Sequence, residues 1–180
     1  LEAGREASGD FKSDLGPAQL ALGGLTDGVR VIDMAAAYSV FPRDGVYLAP
    51  RTYTKVTQEV DGQEVVLLDN TVDRDGTPVL KTSTTWYMND MLQGVFQGTA
   101  AGHAIRGQHA AGKTGTTEYA DNLWFCGYTP QIAVAVWTGY PDSSKTVVID
   151  GSDGHPSNSS CPIFGQFVKA YLGDTPRAEF

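Results

Sequence analysis

The sequence predicts an α+β domain in which an antiparallel sheet is flanked by helices. Three observations carry this expectation. Extended runs at 113–117, 123–128 and 132–140 lie so close together that an antiparallel meander is implied. Apolar residues recur at helical spacing at 31–41, 82–97 and 162–172. An Asp61-Gly62 pair between two strand-like runs marks a separate hairpin.

Taken in order, residues 1–27 are rich in Gly, Ser and Asp, with one short apolar patch at Leu20-Ala21-Leu22. A first helix follows, with Val31, Met34, Ala35, Tyr38 and Phe41 on its apolar side, ended by Pro42 and the Asp44-Gly45 pair. Strands at 53–60 and 63–68 flank Asp61-Gly62, and 69–78 reads as a polar loop. Thr82 or Ser83 can cap a second helix whose Met88, Met91, Leu92, Val95 and Phe96 form a stripe expected to pack in the core. Residues 98–107 form a glycine-containing loop before the three extended runs. A last helix is expected over 162–172, with Ile163, Phe164, Phe167, Val168 and Leu172 on one face. No internal repeat interrupts this order.

The chain has 180 residues, enough for one domain with a core, and 41% hydrophobic against 19% charged residues excludes a disordered tail. A net charge of -8 argues against a nucleic-acid partner, which would require clustered Lys and Arg. No apolar run approaches the about 20 residues that span a bilayer. Cys126 and Cys161 lack metal-ligand spacing, and His103, His109 and His155 are scattered on loops, so no metal or cofactor is expected.

One stretch supports two incompatible readings. Gly107-Gln108-His109-Ala110-Ala111-Gly112-Lys113-Thr114 satisfies the phosphate-loop pattern G-x-x-x-x-G-K-[ST], and Val147-Val148-Ile149-Asp150 could serve as an apolar run ending in a magnesium-binding Asp. A phosphate loop, however, needs a strand before its first glycine and a helix after its last residue. Residues 98–106 are no strand, and Gly115-Thr116-Thr117 is a poor helix start. The other reading takes Lys113-Thr114-Gly115-Thr116 as a strand bearing the K-T-G signature of acyl-transferring serine enzymes.

The surroundings of that strand carry a resemblance. Gly112-Lys113-Thr114-Gly115-Thr116-Thr117, then Asp121-Asn122-Leu123-Trp124-Phe125, Gly127-Tyr128-Thr129-Pro130 and Val136-Trp137-Thr138-Gly139-Tyr140 closely resemble the class A, bifunctional penicillin-binding proteins. Leu22-Gly23-Gly24, Met34-Ala35-Ala36-Ala37-Tyr38, Met91-Leu92 with Gly98-Thr99, and Pro162-Ile163-Phe164 extend the likeness from about residue 20 to the end, in the family's order. Pro42-Arg43-Asp44-Gly45 stands where the family usually has Ala-Asn-x-Gly, and Gly98-Thr99-Ala100 replaces its usual Gly-Thr-Gly.

The resemblance implies a serine-type D,D-transpeptidase. Its serine attacks the D-Ala-D-Ala amide of a peptidoglycan stem peptide, releases the last D-Ala, and passes the acyl group to a second stem's amine. The family supplies the serine and its base through S-x-x-K, helped by S-x-N, and neither pattern occurs in these 180 residues. Residues 1–180 are therefore expected to be the C-terminal portion of one transpeptidase domain, inert alone, with the N-terminal half of that domain as partner. Its sheet would hold the last three of five strands and lack partners on one edge.

Within that frame Lys113 supplies a fixed positive charge for the substrate carboxylate and the serine–lysine pair, and Thr114 and Thr116 supply hydroxyls for the carboxylate. The backbone N–H of Thr116 would be half of the oxyanion hole, and Gly115 would let the substrate backbone approach closely. Trp124, Phe125, Tyr128 and Trp137 are expected in the core. Stem peptides and β-lactam antibiotics are the implied ligands. The implied location is the extracytoplasmic face of the bacterial cytoplasmic membrane, reached through an anchor absent from these residues. That oxidising setting would permit a Cys126–Cys161 disulfide. The alternatives are a phosphate-loop nucleotide-binding protein and a non-catalytic scaffold of the same fold.

Overall fold

In the computed structural model, residues 4–5, 11–12, 21, 23, 25, 28–71, 75–141 and 145–180 are described. Leu20, Leu22 and Gly24, on which part of the sequence reading rests, lie outside them.

The centre of the fold is the predicted meander. In chain order the strands are β1 (Gly4–Arg5), β2 (Phe11–Lys12), β3 (Val46–Tyr47), β4 (Lys55–Val60), β5 (Gln63–Asp69), β6 (Thr77–Pro78), β7 (Ala111–Thr116), β8 (Asn122–Tyr128), β9 (Ala133–Gly139), β10 (Val148–Ile149) and β11 (Ser152–Asp153). The helices are α1 (Val31–Tyr38), α2 (Thr82–Gln93) and α3 (Ser160–Leu172). Strands β7, β8 and β9 form one antiparallel sheet in that order, and the other strands pair in twos. The architecture is α+β, as expected. The polar loop expected at 69–78 contains β6, which pairs with β3.

β8 is central and carries the burial. Leu123, Phe125 and Tyr128 are fully buried, whereas Trp124 and Trp137, expected in the core, are only half-buried. Phe125 meets Phe164 of α3 at 4.8 Å between ring centroids and Phe96 at 6.0 Å. Around this pair gather Val95, Ala100, Ile105, Ala110, Cys161, Val168 and Leu172. On the opposite sheet face Tyr128 stacks on Phe41 at 5.8 Å and lies 6.5 Å from Tyr38 of α1.

The two faces account for the cysteines. Side chains alternate along β8, so Phe125 and Cys126 point oppositely. Cys161 packs in the Phe125 cluster, while Cys126 lies on the Tyr38 side. The sheet separates them, and both thiols are free. The disulfide does not form.

The helices depart in part from their predicted faces, and in α1 Val31 is exposed while Ala36 is the buried residue. In α2 the buried residues are Thr85 and Asn89, and Met91 of the expected stripe is 63% exposed. Asn89 decides this rotation: its amide donates to the Phe41 carbonyl oxygen at 3.3 Å, and its oxygen accepts from the Tyr128 hydroxyl at 2.8 Å. The residue before α2 is Lys81, with no side-chain cap, so neither Thr82 nor Ser83 fills that role. In α3, Phe164, Val168 and Leu172 are buried as expected, but Ile163 and Phe167 are exposed.

Candidate functional site

β7 is an edge strand. It pairs with β8 from Ala111↔Tyr128 to Thr116↔Leu123, and its other side pairs with no strand among the described residues. The chain continues from Gly112 through Lys113 to Thr116 as strand, not helix. The nucleotide-binding alternative fails on that point, because a phosphate loop must open a helix where this segment stays extended.

Gly112 explains why the strand can sit so close. A Cβ there would stand 2.8 Å from the Cys126 carbonyl oxygen and 2.9 Å from the Phe125 ring. A Cβ at Gly115 would lie 3.2 Å from the Cβ of its cross-strand partner Trp124.

The backbone geometry of β7 follows from one bond. The Thr117 N–H donates to the Asn122 carbonyl oxygen at 3.2 Å. In an antiparallel ladder, successive N–H groups alternate between the two sides of a strand. The N–H groups of Lys113 and Gly115 therefore face β8, and those of Thr114 and Thr116 face the open edge. Cross-strand pairing also puts Lys113 and Gly115 on the face of Cys126 and Trp124, and Thr114 and Thr116 on the face of Phe125 and Leu123.

The four predicted site residues are thus brought together on one accessible edge. Lys113 and Thr116 are exposed, and Thr114 and Gly115 half-exposed. The Lys113 ammonium donates to the Thr114 carbonyl oxygen at 2.8 Å. The Thr114 and Thr99 hydroxyls share a hydrogen bond of 3.0 Å. The turn after β7 is closed by Thr117, whose hydroxyl pairs with Asp121 and accepts from the Asn122 N–H at 2.9 Å. Asn122 in turn accepts from the Trp137 indole N–H at 2.8 Å, tying the turn to β9.

Thr99 is a neighbour to which the sequence assigns no role: Gly98-Thr99 belongs to the family likeness, but 15 residues separate Thr99 from Thr114. His109 contacts Glu179 at 2.8 Å and Gln93 at 3.2 Å. With Trp86, Asn89, Asp90 and Phe180 these residues line a small cavity of about 130 Å³. Among the described residues, no three or more His, Cys, Asp or Glu come together to hold a metal.

Comparison with known proteins agrees with this geometry. Residues 3–165 match the family model for the penicillin binding protein transpeptidase domain. The chain is 37% identical over 161 residues to penicillin-binding protein 1A of Clostridium botulinum, covering 88% of this chain and 18% of that protein. Penicillin-binding protein 1A of Clostridium acetobutylicum is 36% identical over 168 residues, with 92% of this chain and 19% of the relative covered. The chain thus spans less than a fifth of these relatives' length. Among solved structures, the penicillin-binding protein PonA1 from Mycobacterium tuberculosis superposes with a TM-score of 0.73 at 28% identity, over 84% of this chain and 40% of that one. A structure of PonA1 in complex with penicillin V gives a TM-score of 0.70, again at 28% identity over 84% of this chain and 40% of that one.

Proposed function

This chain belongs to the penicillin-binding protein transpeptidase family, and from that premise we propose that it forms the substrate-binding and oxyanion half of a serine D,D-transpeptidase that cross-links peptidoglycan. The observation that carries the reading is β7 itself: an open sheet edge bearing Lys113, Thr114, Gly115 and Thr116, with the Thr116 N–H aimed away from β8. The serine and its lysine base belong to a portion of the domain outside these 180 residues, because neither S-x-x-K nor S-x-N occurs within them.

The chemistry follows from what each group can offer. A stem peptide ending in D-Ala-D-Ala lies antiparallel along β7 and uses its outward N–H and C=O groups. The Thr114 and Thr116 hydroxyls donate to the terminal carboxylate, and Lys113 supplies the compensating charge. When the serine attacks, the carbonyl oxygen gains negative charge. The Thr116 N–H, with a second N–H from the serine's own segment, stabilises that charge as it develops. A β-lactam has the same carboxylate and acyl carbon, and occupies the same edge. The parent protein works on the extracytoplasmic face of the bacterial membrane, held by an anchor elsewhere in its chain. No helix among the described residues is long and apolar enough to cross a membrane.

Lys113 provides the test. In protein that also carries the serine, Lys113→Ala is expected to slow acylation by a fluorescent penicillin severely and to leave the thermal midpoint near its original value, because the side chain is exposed and its one bond is to the neighbouring Thr114 carbonyl oxygen. Acylation at an unchanged rate would remove Lys113, and with it this assignment of β7.

A further inference from the structure

We propose that Thr99 is a positioning residue for the carboxylate-binding hydroxyl of Thr114, and so helps select ligands with a free carboxylate. The inference rests on the transpeptidase reading above. Thr114 lies on an edge strand, where a threonine hydroxyl can settle in more than one staggered well. Thr99 removes that freedom, its oxygen standing 3.0 Å from the Thr114 hydroxyl.

Thr99 is itself held on both sides. The Gly98 N–H donates to the Val95 carbonyl oxygen at 3.1 Å, and the Ala100 N–H donates to the same oxygen at 2.9 Å. Ala100 is fully buried in the Phe125 cluster. The backbone on either side of Thr99 is thus anchored in the core, while its own side chain is exposed beside β7. An exposed residue with its hydroxyl directed at a predicted ligand-binding group fits a role in the site.

A hydroxyl is needed at position 99, and threonine's shape alone is not enough. In the structure the two hydroxyls share one hydrogen bond, which either can donate. A carboxylate can only accept, so when one arrives the Thr114 proton must swing to the ligand. Thr99 then donates its own proton to the Thr114 oxygen by rotation about its C–O bond. No covalent bond breaks and no charge moves. The chain from Thr99 through Thr114 to the carboxylate runs in one direction, which polarises the terminal donor. Serine can make the same reversal. Valine has the volume but neither role.

The experiment uses full-length protein carrying the serine, and measures separately the dissociation constant of the non-covalent penicillin complex and the acylation rate constant. Thr99→Val is expected to weaken the non-covalent complex roughly fivefold, the worth of one such hydrogen bond, with the acylation rate constant near its original value. Thr99→Ser should restore binding. On a Thr114→Val background, Thr99→Val should add nothing further, since the two act as one unit. An unsubstituted protein that penicillin does not acylate would end the transpeptidase reading itself. Normal acylation together with an unchanged dissociation constant in Thr99→Val would overturn the positioning role alone. Equal losses in both constants, persisting in Thr99→Ser or accompanied by a lower melting point, would assign Thr99 to folding and also overturn it.

Discussion

At the scale of single residues, burial has chemical consequences away from β7. Burial pushes the Cys126 thiol from its ordinary 9.0 up to about 12, and the Tyr38 hydroxyl from 10.0 up to about 12. Tyr128, beside them, is also raised by burial. The unfolded chain releases these protons at the ordinary values, while the folded chain keeps them to higher pH. Between the two values the folded state binds more protons, so stability must fall as pH rises. Thermal midpoints should therefore show no loss from these groups below pH 9.0 and decline from there towards about pH 12. Cys126→Ala should make that alkaline decline shallower, whatever it does to stability at neutral pH. Parallel curves for the two proteins would contradict the assignment of Cys126 to a dry, α1-facing site. The cysteine pairing was not legible in sequence for the same reason: adjacent positions on a strand face opposite ways, and only the packing of α3 against Phe125 shows which side Cys161 occupies.

At the scale of elements, β7 depends on two glycines for different reasons. Gly112 faces backbone, with the Cys126 carbonyl oxygen 2.8 Å from where a Cβ would stand, and backbone cannot swing aside. Gly115 faces the Trp124 side chain at 3.2 Å, where a few tenths of an ångström of movement suffices. Gly112→Ala should thus cost roughly 1–3 kcal/mol of stability, the usual range for overpacking, and Gly115→Ala clearly less. Urea unfolding of both variants checks the order, and a larger loss for Gly115→Ala would contradict it. The main strands are legible in the sequence because their signals are local. The β-branched and glycine-punctuated run after Gly112 forbids a helix, and Asp61-Gly62 closes the β4–β5 hairpin where predicted. Helix faces are less legible. The turn of α2 that enters the interior is chosen by Asn89 bonding to Phe41 and Tyr128, residues 48 and 39 positions away. No periodicity within α2 records that choice.

At the scale of the whole molecule, the three-stranded sheet has two outer strands, β7 and β9, and neither pairs with a further strand among the described residues. An open edge recruits extended chain, and the β7 edge is where the stem peptide is proposed to lie. The K-T-G residues were legible because their order with the aromatic strands that follow is specific to the family. Thr99 was not, because its link to Thr114 exists only after β7 docks against the loop that follows α2. The central claim is a division of labour, in which these residues bind and stabilise while a serine elsewhere in the domain reacts. Loss of one oxyanion donor typically costs about 3 kcal/mol of transition-state stabilisation, and a chain without nucleophile and base loses far more. The most direct measurement is covalent labelling of the 180-residue chain by a fluorescent penicillin, beside the same residues joined to the serine-bearing portion. No labelled band is expected for the chain alone, even after long incubation, and a labelled band for the joined protein. Stable acylation of the 180-residue chain by itself would contradict the division of labour.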